Sequence, residues 1–123
     1  MNVLFVCTMN AARSVAAERM YRGTPGMSVR SAGIDARARY VVMAADVEWA
    51  DRIVVFEDAH RQHILRFCGP RPGSMDPEND AAVAAIDAKI VDIGIPDAFG
   101  ANDRGLVTEL RELLTELLGP PGR

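Results

Sequence analysis

Apolar residues fall along this chain in two rhythms. Val3 to Val6 is an unbroken apolar run, and Ile53 to Phe56 is another. Short continuous runs of this kind suit strands covered on both faces, as in a parallel sheet. Met27 to Ala32 and Ile90 to Ile93 read as two further strands. Between the strands the spacing becomes helical. Arg13 to Arg22 places Val15, Ala16, Met20 and Tyr21 on a helix that stops at Gly23-Thr24-Pro25-Gly26. Ala44 to Ala50 predicts a short helix, and Asp58 is placed to cap one running to about Phe67. GPRPGSMDPEND reads as a breaker-rich loop, Asn79 to Ala88 as a helix, and Ile95 to Asn102 as a loop. Asp103 opens the last helix, where Leu106, Leu110, Leu113, Leu114, Leu117 and Leu118 recur at helical spacing before Gly119-Pro120-Pro121. Strands alternating with helices predict an α/β sandwich of three layers, a parallel sheet joined by right-handed crossovers with helices on both faces.

Composition narrows the class. At 123 residues the chain fits one domain, 1–123, and with 49% apolar residues it has the material for a core. A net charge of −3 and no basic run give no reason to expect nucleic acid as a partner. The first apolar stretch is too short for a signal peptide or a membrane span, and two cysteines are too few for a disulfide framework. The expectation is a cytoplasmic protein with no membrane partner.

Chemistry concentrates where the first strand ends. In open parallel sheets, ligands bind beyond the carboxyl ends of the strands, where strand order reverses. Cys7 stands there, followed by Thr8, Met9, Asn10, Ala11, Ala12, Arg13 and Ser14. A loop this short between strand and helix turns backbone N–H groups inward and, with the helix N-terminus, makes an anion cradle. Thr8, Ala11 and Ala12 are small enough not to obstruct it. Arg13 adds a planar fork of donors for two oxygens of a phosphate. The same positive field stabilises a thiolate at Cys7, to which Ser14 is placed to donate. Asn10 tolerates left-handed backbone angles and is suited to lock the loop. A lone cysteine is ordinarily a small buried hydrophobe. The set is another matter: ordinary residue frequencies put Cys, Asn, Arg and Ser at these spacings in roughly one chain in several thousand.

VLFVCTMNAARSVAAE resembles the signature of the low-molecular-weight protein tyrosine phosphatases, V-C-x-x-N-x-x-R-S followed by a small residue and Glu. The likeness continues in SAG (residues 31–33), EWADRIVV (48–55) and IPDAF (95–99), so it spans nearly the whole chain. It is nearest a short bacterial branch with an IPD acid loop. The resemblance implies a four-stranded parallel sheet in the order 2-1-3-4. It also implies that Cys7 is the nucleophile, Arg13 the phosphate clamp, Asn10 the loop organiser and Ser14 the thiolate partner. Two positions depart from the pattern: Val15 stands for the usual Pro, and Asp97 is followed by Ala98.

Expelling an alkoxide or phenoxide is helped by a positioned acid. Asp97 follows the fourth strand, so it belongs at the same end of the sheet as Cys7, and Phe99 is expected to wall an aromatic pocket. A literal Asp-Pro occurs at Asp76-Pro77, which reads as a turn. Arg37 and Tyr40 lie where the family's specificity loop falls, and read either as contacts to groups flanking the phosphate or as solvated loop residues. His60 and His63, three apart on a helix, read as surface residues, with His60 bordering the site; no further ligands beside them suggest a metal. No cofactor is implied.

The reading is a phosphomonoester phosphatase of the protein tyrosine kind, working through a phosphocysteine on a phosphoprotein or a small phosphomonoester. Two others stay open: an arsenate reductase that recruits an external small thiol, since Cys68 alone cannot build a relay, and a non-catalytic phosphate-binding module.

Overall fold

The computed structural model describes residues 1–70 and 75–122. Its strands are β1 (Asn2–Cys7), β2 (Ser28–Gly33), β3 (Arg52–Val55) and β4 (Ile90–Asp92). The helices are α1 (Arg13–Tyr21), α2 (Ala44–Trp49), α3 (Asp58–Phe67), α4 (Pro77–Asp87) and α5 (Arg104–Leu118). The strands form one parallel sheet in the order β2-β1-β3-β4, as the motif resemblance implies.

Side chains alternate across a strand, so the apolar run of β1 feeds two cores at once. Val3, Phe5 and Cys7 join Val54, Phe56, Ala17, Tyr21, Leu106, Leu110 and Leu114 on the face covered by α1 and α5. Leu4 and Val6 join Ile53, Val55, Val47, Ile64 and Cys68 on the opposite face, beneath α2 and α3. The two cysteines therefore belong to cores on opposite sides of the sheet.

Two helix starts differ from the sequence expectation and a third agrees with it. Helix α4 starts two residues early, because Asp76 is its N-cap, accepting from Glu78 N at 2.9 Å, and Pro77 takes the first helical position, where its missing N–H costs nothing. Asp76 is thus a cap, and the expected loop at 69–80 is partly helix; its residues 71–74 lie outside the described residues. Asp58 is the first residue of α3 and not its cap. Glu57 holds the N-cap position, and its amide is taken by the His60 ring. Asp103 does cap α5, accepting from Gly105 N at 2.7 Å. No helix among the described residues is long and apolar enough to cross a membrane.

Candidate active site

Cys7 ends β1 opposite Gly33, the last residue of β2. From there the chain turns through Thr8 to Ala12 into α1, with Asn10 at φ 52°, the left-handed region that Asn tolerates. The returning segment after β2 braces one side of this turn. Ile34 N donates to Cys7 O and Thr8 O, Asp35 N to Thr8 O and Arg39 N to Met9 O, all at 3.0–3.1 Å. The loop's carbonyls thus face residues 34–39. Its amides do not: among the described residues nothing accepts from the N–H groups of residues 9 to 13, and α1 has no side-chain cap. Open amides at a helix start are an anion nest.

The close fit explains a residue that carried no chemistry in the sequence. A Cβ at Gly33 would lie 2.6 Å from Thr8 O, 2.7 Å from Ala38 Cβ and 2.8 Å from Asn10 N. Only glycine lets β2 end this near the loop.

Beneath the nest the side chains interlock. Asn10 Nδ2 donates to Ser14 Oγ at 3.0 Å, and Ser14 Oγ lies 2.9 Å from Cys7 Sγ. With Asn10 filling one lone pair of the hydroxyl, the Ser14 O–H is left to donate to the sulfur. Arg13 is 1% exposed and anchored at three points. Nη1 donates to Glu57 Oε2 and to Ile95 O, both at 2.8 Å, and Nη2 donates to Thr8 Oγ1 at 3.3 Å. These anchors use three of the five guanidinium hydrogens. Nε–H and one Nη2–H remain, the pair on one edge of the plane that suits two oxygens of a tetrahedral anion. The Arg13 guanidinium holds the Glu57 carboxyl below the usual range, so this pair is ionised.

Cys7, Met9, Ala11, Ala12, Arg13 and Asp97 together line a cleft of about 140 Å³. The structure brings Asp97 to the same opening as the sulfur; Asp76, at the start of α4, is not among the lining residues.

The expected walls are elsewhere. Arg37 is exposed and bonded to Asp35. Tyr40 is turned to α2, where its hydroxyl donates to Asp46 Oδ1 at 3.2 Å. Phe99 lies against the first turn of α5 at Gly105 and packs on the core. His60 is not a surface residue: it is wholly buried behind the loop. Its Nδ1 faces the amides of Phe56 and Glu57, both at 3.2 Å, and its Nε2 lies 3.0 Å from Thr8 Oγ1. Burial foremost, then the Arg13 charge, pushes His60 from 6.5 to about 4 against the opposing pull of Glu57, Asp92 and Asp97. His63 is half-buried beside Phe67. Among the described residues no three His, Cys, Asp or Glu side chains are grouped to hold a metal.

This architecture is the fold seen in solved low-molecular-weight protein tyrosine phosphatases, so the fold that the motif resemblance implies is borne out. Among solved structures, the tyrosine phosphatase AmsI of Erwinia amylovora aligns with TM-score 0.70 at 15% identity, over 99% of this chain and 93% of that one. The tyrosine phosphatase Wzb of Escherichia coli K30, in complex with phosphate, aligns with TM-score 0.66 at 18% identity, over 94% of each chain. A variant of YwlE arginine phosphatase with a phosphorylated active-site serine aligns with TM-score 0.65 at 20% identity, over 95% of this chain and 93% of that one. No protein-family profile and no curated protein sequence matches the chain.

Proposed function

We propose that this protein is a cysteine-dependent phosphomonoester phosphatase. The observation that carries the reading is the Cys7 sulfur, held by Ser14 and opening on the same cleft as uncommitted loop amides, Arg13 and Asp97. The thiolate attacks phosphorus in line, forming the S–P bond as the ester P–O bond breaks. Amides and the free Arg13 edge hold the equatorial oxygens where charge develops. Asp97 gives a proton to the leaving oxygen; the same carboxylate then takes one from the water that hydrolyses the phosphocysteine. The phosphatases that share the fold support this reading, and protein phosphotyrosine is the substrate class we assign.

Cys7→Ser is expected to abolish release of nitrophenolate from p-nitrophenyl phosphate, and retained turnover overturns the nucleophile. Asp97→Asn is expected to slow phosphotyrosine hydrolysis about a hundredfold and the activated nitrophenyl ester far less. Equal losses on the two esters remove Asp97 from the acid role. Arsenate reduction within the chain is disfavoured, since Cys7 and Cys68 sit on opposite sides of the sheet. Arsenate-dependent oxidation of an added small thiol, without phosphate release, would assign the same loop to reduction.

A further inference from the structure

His60 takes no part in the mechanism above, yet its ring contacts two of the residues that hold Arg13. Two backbone amides, Phe56 N and Glu57 N, converge on Nδ1 at 3.2 Å. Backbone N–H groups only donate, so Nδ1 must carry its lone pair and the ring hydrogen must be on Nε2. That hydrogen faces Thr8 Oγ1 at 3.0 Å. Thr8 Oγ1 is also the acceptor for Arg13 Nη2, and Glu57 is the carboxylate partner of Arg13 Nη1.

From this geometry we infer that His60 is a positioning residue for the anion clamp. One neutral imidazole, fixed as a single tautomer, pins the β3–α3 turn that carries Glu57 and the hydroxyl that carries Thr8. Two of the three anchors of Arg13 therefore trace back to the same ring. With both anchors set, the Nε–H edge of Arg13 is held toward the cleft before any anion arrives, and binding need not spend energy ordering it. A protonated ring would turn an N–H against the two amides and add a second cation beside Arg13, so the clamp needs this histidine neutral. The charged groups that face it are Arg13, Glu57, Asp92 and Asp97. The inference rests on the proposed anion site and not on turnover.

The test separates the two arms of the ring. His60→Asn keeps an acceptor close to Nδ1 but cannot reach Thr8; Thr8→Val removes the hydroxyl from the other side. Orthovanadate affinity, measured by calorimetry on the folded variants, reads the clamp directly. Each single substitution is expected to weaken vanadate about tenfold, and the double variant no further, because both cut one chain of contacts. Losses that multiply in the double variant, or an unchanged affinity in His60→Asn, overturn the inference. His60→Ala, which loses both arms, is expected to weaken vanadate more than His60→Asn.

Ring-nitrogen NMR of the unmodified protein gives a second readout. It should show Nδ1 bare and Nε2 protonated from about pH 8 to about pH 5. A hydrogen on Nδ1 in that range overturns the inference, whatever the activity. A protein that shows the tautomer and the vanadate cycle but hydrolyses no ester keeps the clamp and loses the phosphatase reading.

Discussion

The floor of the cleft and its rim are built on different physical terms. On the floor, Cys7, Asn10, Arg13 and Ser14 are all buried, and each side chain is held by one or more of the others or by a fixed backbone group. At the rim, the long side chains expected to meet substrate have local partners instead: Arg37 with Asp35, Tyr40 with Asp46, and Phe99 with α5. The floor is therefore made for one shape of anion, while little that is rigid selects what carries it. Predictions ranked by size press on that contrast.

The largest effect should come from Arg13→Lys. A lysine keeps the charge but not the planar fork, and it cannot serve Glu57, Ile95 O and Thr8 while offering an edge to the anion. Turnover of p-nitrophenyl phosphate is expected to fall about a hundredfold or more. A loss under tenfold would mean that the amides alone hold the oxygens and that the floor is less interdependent than its hydrogen bonds suggest.

Gly33→Ala comes next. The new methyl would meet backbone atoms at 2.6 Å and 2.8 Å, and neither Thr8 O nor Asn10 N can swing aside as a flexible side chain would. A stability loss of about 2 kcal/mol is expected, with weaker vanadate binding because the loop itself must shift. Denaturant midpoints checked against vanadate titration read both. A destabilised variant with unchanged vanadate affinity would show that β2 and not the loop gives way.

The floor was legible in sequence because its chemistry is local. Cys7, Asn10, Arg13 and Ser14 lie within one strand–loop–helix unit, where a parallel sheet puts ligands. The sheet order was likewise implied by the motif, and the two apolar runs became the central strands β1 and β3. What stayed hidden was set by distant contacts. His60 reads as one of two histidines on an ordinary helix, and only the 52-residue closure to Thr8 makes it a buried link. Glu57 gave no signal of its own, although a carboxylate just past an apolar strand, at the ligand end of the sheet, was a hint. Phe99 was expected at the rim for its ring and Tyr40 for its place in the loop that sets specificity in the resembling family; their direction depends on Gly105 and Asp46, which no local pattern reveals.

A third prediction uses pH. His60 has its pKa at about 4 in the fold against 6.5 ordinarily. The unfolded chain takes up that proton first, so the folded state is favoured fully above pH 6.5 and loses ground as pH falls toward 4. His60→Asn removes the titration, so its stability should fall less steeply between pH 6.5 and 4 than that of the unsubstituted protein. Parallel curves would show that other groups set the acid response.

The smallest effect should come from the rim, and it decides whether the contrast holds. Tyr40→Phe removes a donor to Asp46, but that carboxylate keeps Met43 N at 3.0 Å and Arg30 at 3.4 Å. The ring is about half exposed, so its packing is worth little, and the expected stability loss is under about 1 kcal/mol. Turnover of p-nitrophenyl phosphate and KM for a phosphotyrosine peptide should both stay within about twofold, since the hydroxyl points to α2 and away from the nest. If instead KM for the peptide rises while the nitrophenyl ester is unaffected, Tyr40 must leave Asp46 to meet substrate. The rim would then be an assembled specificity surface whose resting contacts conceal it, and the division between a rigid floor and an unselective edge would fail.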